Sequence, residues 1–250
     1  MIPNPIRKVL SSMRAHRVRA LLMGGQACVF YGAAEFSRDT DFAILADAAN
    51  LARLRRALAG LRAEPIAVPP FELKHLRKGH AIHFRCRHPA AWRMRVDVMS
   101  KMRGVEAFAK LWKRRTTLQL PGGARCDLLS LPDLVQAKKT QRDKDWPMIR
   151  RLVEASYFGN RKRPASAQIR FWLAELRTPE LLVEVARENT RLARQLSGKR
   201  PLLRLALAGK LDKLEAALAA EESIEREKDR RYWLPLRKDL EKLRAFASSR

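Results

Sequence analysis

Two carboxylates two residues apart, Asp39 and Asp41, open a stretch that reads as a strand, Asp39-Thr40-Asp41-Phe42-Ala43-Ile44. Side-chain direction in a strand alternates with period two, so both carboxylates share one face while Thr40, Phe42 and Ile44 turn to the other, into a core. Like charges held this close repel unless a cation lies between them, which suggests a divalent metal with oxygen ligands. Upstream, Gly24-Gly25 stands where an apolar run ends and a helix begins. A glycine pair at such a junction offers bare backbone N–H groups to a phosphate. Metal plus phosphate is the chemistry these residue types suit.

The elements that position them follow from the pattern on either side. Ala20-Leu21-Leu22-Met23 reads as a buried strand, Gly24-Gly25 as a turn and Gln26 to Ala34 as a short helix. Residues 5–17 carry Ile6, Val9, Leu10 and Met13 at helical spacing, an amphipathic lead-in helix. Asp47 is a suitable N-cap for a helix burying Leu51, Leu54, Leu58 and Leu61, with Arg53, Arg55, Arg56 and Arg62 facing out. His80 to Cys86 and Arg93 to Met99 read as neighbouring strands; with Ile82, Phe84 and Cys86 on the core side, Ala81, His83 and Arg85 share the other face. That face could be the cleft face with Asp97, but the favoured reading of His83 and Arg85 is of ordinary polar residues on an open side. A helix is expected over Val105 to Trp112, and a hairpin with its turn at Pro121-Gly122-Gly123.

Ser130 with Asp133 has capping-box spacing, and the helix that follows aligns Leu131, Leu134, Lys138 and Arg142 on neighbouring faces. Cations in line with core-facing leucines need an anionic partner. Asp145 is expected to cap the next helix. The basic joint Arg161-Lys162-Arg163-Pro164 separates an expected first domain, 1–158, from a wholly helical region, 159–250. In the latter, Thr178-Pro179-Glu180 is a helix start, and Glu221 to Ala247 is a long charged helical stretch.

The string Met23-Gly24-Gly25, thirteen residues from Gln26 to Arg38, then Asp39-Thr40-Asp41, resembles the signature of the DNA-polymerase-β-like nucleotidyltransferase superfamily, an apolar residue, Gly-[Gly/Ser], a spacer, then Asp-x-[Asp/Glu]. The likeness is greatest to bacterial minimal and AbiEii-type nucleotidyltransferases, which follow the sheet with a Leu-Pro-x-Leu…Lys…Arg-x-Lys-Asp helix pair. Here that pattern stands as Leu131-Pro132-Asp133-Leu134, Lys138, Arg142 and Lys144-Asp145. The resemblance implies an α+β nucleotidyltransferase fold, a small mixed sheet flanked by helices. It implies a third acid on a further strand, and Asp97 has the surroundings, since Met94, Val96 and Val98 fall on the opposite strand face. It further implies Mg²⁺ or Mn²⁺ held by Asp39, Asp41 and Asp97, and an NTP held by Gly24, Gly25, Ser37, Arg38, Lys138, Arg142 and Lys144. The implied reaction moves a nucleoside monophosphate to a hydroxyl on RNA, a protein or a small molecule, with tRNA the leading acceptor by analogy. Relatives include toxins with a neighbouring antitoxin, so a cognate antitoxin is a further implied partner. Thr40 departs from the aliphatic residue usual between the carboxylates. The competing reading is a nucleic-acid-binding protein on a degenerate, inactive scaffold; three retained carboxylates favour the enzyme.

Composition narrows the partners. A hydrophobic content of 46% belongs to a globular chain, and no apolar run reaches the roughly 20 residues that span a bilayer. With no signal-peptide core at the N-terminus, a cytoplasmic protein without membrane contact is expected. Cys28, Cys86 and Cys126 lack metal-ligand spacing and read as buried free thiols. Of the formal net charge of +26, residues 1–150 carry +17. A surplus of this size favours a polyanionic partner such as RNA over an arginine-rich but merely solvated surface. A dinucleotide-binding unit is disfavoured, since G-x-G-x-x-G is absent and carboxylates occupy the start of the second strand.

Overall fold

The structure, a computed structural model, describes residues 4–120 and 125–248. The chain divides into two compact units. The first comprises Met1–Phe30, Ala34–Ala137 and Arg231–Arg250, the second Tyr31–Ala33 and Lys138–Arg230.

The first unit is α+β. It opens with α1 (Asn4–Ala15), which buries Ile6, Val9, Leu10 and Met13 as their spacing predicts. Strand β1 (Ala20–Met23) runs directly into α2 (Gly24–Phe30), and β2 (Asp39–Ile44) follows. Helix α3 (Ala48–Gly60) begins where Asp47 accepts a hydrogen bond from the Asn50 N–H at 2.6 Å, the expected N-cap. Then come β3 (Ala63–Pro65), α4 (Leu73–Lys78), β4 (Ile82–Cys86), a single 3-10 turn at Pro89–Ala91 and β5 (Arg95–Met99). Helix α5 (Phe108–Lys113) precedes the hairpin strands β6 (Thr116–Gln119) and β7 (Arg125–Leu128). These two pair antiparallel, as the sequence suggests, while the turn at Pro121-Gly122-Gly123 lies outside the described residues. Helix α6 (Leu131–Lys138) leads out of the unit.

Among the described residues seven strands form one mixed sheet, in the order β3-β4-β5-β2-β1-β7-β6. Its centre is set by two pairings, β1 with β2 antiparallel and β2 with β5 parallel. Alternation does the sorting: Thr40, Phe42, Ile82, Phe84, Cys86, Val96 and Val98 are all buried, while Asp39, Asp41, His83, Arg95 and Asp97 stay partly open on the opposite face. Ser130 donates to Asp133 at 2.6 Å at the start of α6, and Arg114 clamps that carboxylate with two bonds of 2.7 and 2.6 Å.

The second unit is helical: α7 (Asp145–Asn160), α8 (Ser166–Glu175), α9 (Pro179–Glu188), α10 (Thr190–Leu196), α11 (Leu203–Ala208) and the first part of α12 (Leu211–Ser248). The basic joint Arg161–Pro164 links α7 to α8 within this unit, and Pro179 opens α9 at its first position as expected. Its core surrounds Trp172, Leu173, Leu182 and Leu203. Buried Arg200 is satisfied there by the Leu173 and Leu176 carbonyls, both at 2.9 Å, and by Glu221. The charged stretch from Glu221 is part of a single helix of 38 residues that runs through Pro235. Its last part belongs to the first unit, where Asp239 accepts from Lys78 at 2.5 Å and lies 2.6 Å from buried His80. All three cysteines are buried free thiols, and burial pushes the Cys86 thiol up to about 11. Among the described residues no helix is long and apolar enough to cross a membrane.

Candidate functional site

Strand register decides which polar residues meet. Because β2 and β5 run parallel with Asp41 opposite Asp97 and Asp39 opposite Arg95, all four side chains leave the same face. Neighbouring strands lie about 4.8 Å apart, so residues in register are immediate neighbours. The row through Asp41 continues to Met23 on β1 and, beyond Asp97, to His83 on β4. A second row runs Asp39, Arg95, Arg85. On the buried face between them, Thr40 donates its hydroxyl to the Arg95 carbonyl at 3.1 Å. That bond accounts for a polar residue at a position where the resemblance expects an aliphatic one: it ties β2 to β5 at the row of the first carboxylate.

The glycine pair lies directly against this face. Gly24 has a φ of +66°, and a Cβ there would fall 1.9 Å from Asp41 Oδ2 and 2.7 Å from Asp41 Cβ. Only glycine satisfies both the left-handed backbone and the close approach. A Cβ on Gly25 would fall 2.7 Å from Ser37 Oγ. Ser37 in turn donates to the Asp39 carbonyl at 3.0 Å, so the chain entering β2 is turned toward the start of α2. Gly24, Gly25, Ser37, Asp39 and Asp41 are thus brought together, and Asp97 joins them across the sheet. Arg38 is exposed.

Arg95 and His83 complete the electrostatics. Arg95 Nε donates to Asp97 Oδ1 at 2.8 Å, and its Nη2 lies 3.0 Å from His83 Nδ1. That same Nδ1 is 2.9 Å from Asp97 Oδ1. A ring nitrogen has one role at a time: protonated, Nδ1 donates to Asp97; bare, it accepts from Arg95. Burial on its own would raise the Asp97 carboxyl, but the bonds from His83 and Arg95 outweigh it and hold Asp97 below the ordinary carboxylate range. The bond to Asp97, together with the nearby charges of Asp97, Asp39 and Asp41, outweighs burial and holds the Arg95 guanidinium above its ordinary value. His83 is therefore more than an open-side polar residue. Arg95 went unmarked in the sequence, although its spacing of two from Asp97 already assigns it to the acid-bearing face.

Lys138, Arg142 and Lys144 belong to the second unit. Lys138 is buried, its ammonium 3.1 Å from Asp145 Oδ1; Arg142 Nε donates to Asp145 Oδ2 at 2.7 Å, and the Thr140 hydroxyl donates to the same oxygen at 2.5 Å. Burial would raise the Asp145 carboxyl, yet Lys138, Thr140 and Arg142 hold it low. The anion demanded by these two cations is thus Asp145. It does not cap α7: the N-cap position is Lys144, which is exposed, and no side chain caps there.

Among the described residues no three His, Cys, Asp or Glu side chains are gathered so as to cage a metal ion as they stand. Asp97 is bonded to Arg95 and His83 instead. The donor set nevertheless suits an oxygen-preferring divalent cation, since three carboxylates share one face and two of them are in register on adjacent strands. In comparisons with known proteins, no family model matched the chain and no curated protein matched it.

Proposed function

We propose that the chain is a metal-dependent nucleotidyltransferase of the DNA-polymerase-β-like type, moving a nucleoside monophosphate from an NTP to a hydroxyl acceptor. The observation that carries this reading is the register of Asp41 with Asp97, with Asp39 on the same face and Gly24 packed against the Asp41 carboxylate. Asp39, Asp41 and Asp97 would hold Mg²⁺ or Mn²⁺, which when bound supplies charge stabilisation to the attacking and leaving oxygens. The acceptor oxygen attacks the α-phosphorus, the bond to the bridging oxygen breaks, and pyrophosphate leaves with the electron pair. Gly24 and Gly25 carry no side chain of their own, so their backbone N–H groups suit a phosphate. Asp97, kept ionised by His83 and Arg95, is a weak base; it serves as ligand and as the acceptor that orients the attacking hydroxyl, whose proton passes on to solvent. Lys138 and Arg142 are committed to Asp145, and phosphate contact falls to Gly24 and Gly25 at the start of α2, Ser37 and Arg38.

The acceptor we propose is RNA, because +17 in residues 1–150 exceeds what one triphosphate requires. A second reading, nucleic-acid binding without chemistry, draws on the bond that already occupies Asp97. One experiment separates them: α-labelled NTPs with Mn²⁺ and, in parallel, total RNA, protein extract or small hydroxyl compounds. Label on RNA supports the proposal; label confined to protein or small molecules overturns RNA as acceptor. RNA binding without label transfer from any NTP favours the second reading. RNA affinity should fall steeply between low and high salt as counterions are released.

A further inference from the structure

Three carboxylates on one face call for a counter-charge, and the chain itself supplies one. Arg95 lies in register with Asp39, donates to Asp97 at 2.8 Å, and feels the charges of Asp39 and Asp41. Its side chain is 39% exposed, so the guanidinium can swing into solvent with no rearrangement of the sheet. Asp97, at 14% exposed, cannot leave.

We propose that Arg95 is a built-in counter-ion that guards the carboxylate face until a divalent cation displaces it, and that the displaced guanidinium is then available to the nucleotide's phosphates. This rests on the metal-dependent reading above. Two consequences follow. A cation arriving alone must break the Arg95–Asp97 bond, so metal binding without nucleotide is weak. A metal–nucleotide complex brings its own anion for Arg95, so the same side chain that opposes the bare metal favours the complex. The site then loads metal and NTP together and disfavours idle metal occupancy. Arg85, one strand further along the same row and exposed, lies in register with Glu64 of β3 on its far side and does not share the role.

The test is Mn²⁺ binding, read by the loss of free-Mn²⁺ paramagnetic resonance signal, on the 250-residue wild-type chain and its variants. Arg95→Met should bind Mn²⁺ alone on the order of tenfold more tightly than wild type, the size expected when a contacting opposite charge is removed from a carboxylate. With a non-hydrolysable NTP present, the order should reverse. Arg85→Met should change Mn²⁺ affinity less than about twofold, since exposed charges without direct contact are screened. Arg95→Lys, which keeps the charge, should remain near wild type and serves if Arg95→Met folds poorly. A purely structural Arg95 would lower the melting temperature of Arg95→Met in EDTA without tightening Mn²⁺. Unchanged or weaker Mn²⁺ binding in Arg95→Met overturns the inference alone, provided wild-type binding still depends on Asp41. If neither wild type nor Arg95→Met binds Mn²⁺, the metal-dependent reading falls with it.

Discussion

Replacing Gly24 by alanine tests the close approach on which the site is built. The substitution has two costs. A non-glycine residue at φ +66° loses about 1–2 kcal/mol from crowding of its Cβ against the backbone. The added methyl would also lie 1.9 Å from Asp41 Oδ2, 2.5 Å from Cγ and 2.7 Å from Cβ, so the whole side chain and its strand must give way. Overpacking of that kind costs about 1–3 kcal/mol, for a total of about 2–5 kcal/mol. Gly25→Ala differs in kind: its φ is not in the left-handed region, and the nearest atom is the rotatable Ser37 hydroxyl at 2.7 Å. Urea unfolding of Gly24→Ala, Gly25→Ala, Ser37→Ala and the Gly25→Ala/Ser37→Ala pair should show Gly25→Ala as the milder lesion, partly relieved by Ser37→Ala. Gly24→Ala should not be relieved by Ser37→Ala. A Gly24→Ala stability within about 0.5 kcal/mol of wild type, the range of an ordinary surface change, would refute the packing of α2 against Asp41.

Further expectations rest on single contacts. Lys138→Met leaves the buried Asp145 carboxylate with Arg142 and Thr140 only and should cost about 3 kcal/mol by denaturant unfolding; Lys138→Met/Asp145→Leu should recover much of it. Asp145 is held below its ordinary value in the folded state, so the unfolded chain binds the extra proton first. Its contribution is therefore complete above about pH 4 and lost as pH falls below that, and Asp145→Asn should flatten the acid limb of a stability–pH curve. Asp47→Ala removes the bond to the Asn50 N–H and should lower stability by about 1 kcal/mol without affecting metal binding.

The strand–glycine–helix–strand unit was legible because each part announces itself locally: an apolar run, a glycine pair, then alternation that begins on Asp39. The N-cap at Asp47 and the buried faces of β4 and β5 were legible for the same reason. The pairing of β4 with β5 was legible too, but the register that sets Asp41 opposite Asp97, and so gathers His83 and Arg95 with the carboxylates, was not, because nothing local in β2 names β5 as its neighbour. The demand of Lys138 and Arg142 for an anion was legible, but its answer was not. Asp145 looked like a helix cap, which concealed the nearest carboxylate and left the two cations to a ligand. Within the first unit, Asp239 near the end of α12 meets Lys78 and His80. Contacts so far apart in the chain carry no local signature.

If the carboxylates of Asp41 and Asp97 run nucleotidyl transfer, both are required for pyrophosphate release from NTPs in the presence of Mn²⁺ and the acceptor that takes up label. Asp41→Asn and Asp97→Asn, each shown to melt cooperatively, should release pyrophosphate at least about a hundredfold more slowly than wild type. Release undiminished in both variants, or absent from wild type with every NTP, would rule out nucleotidyl transfer at these carboxylates.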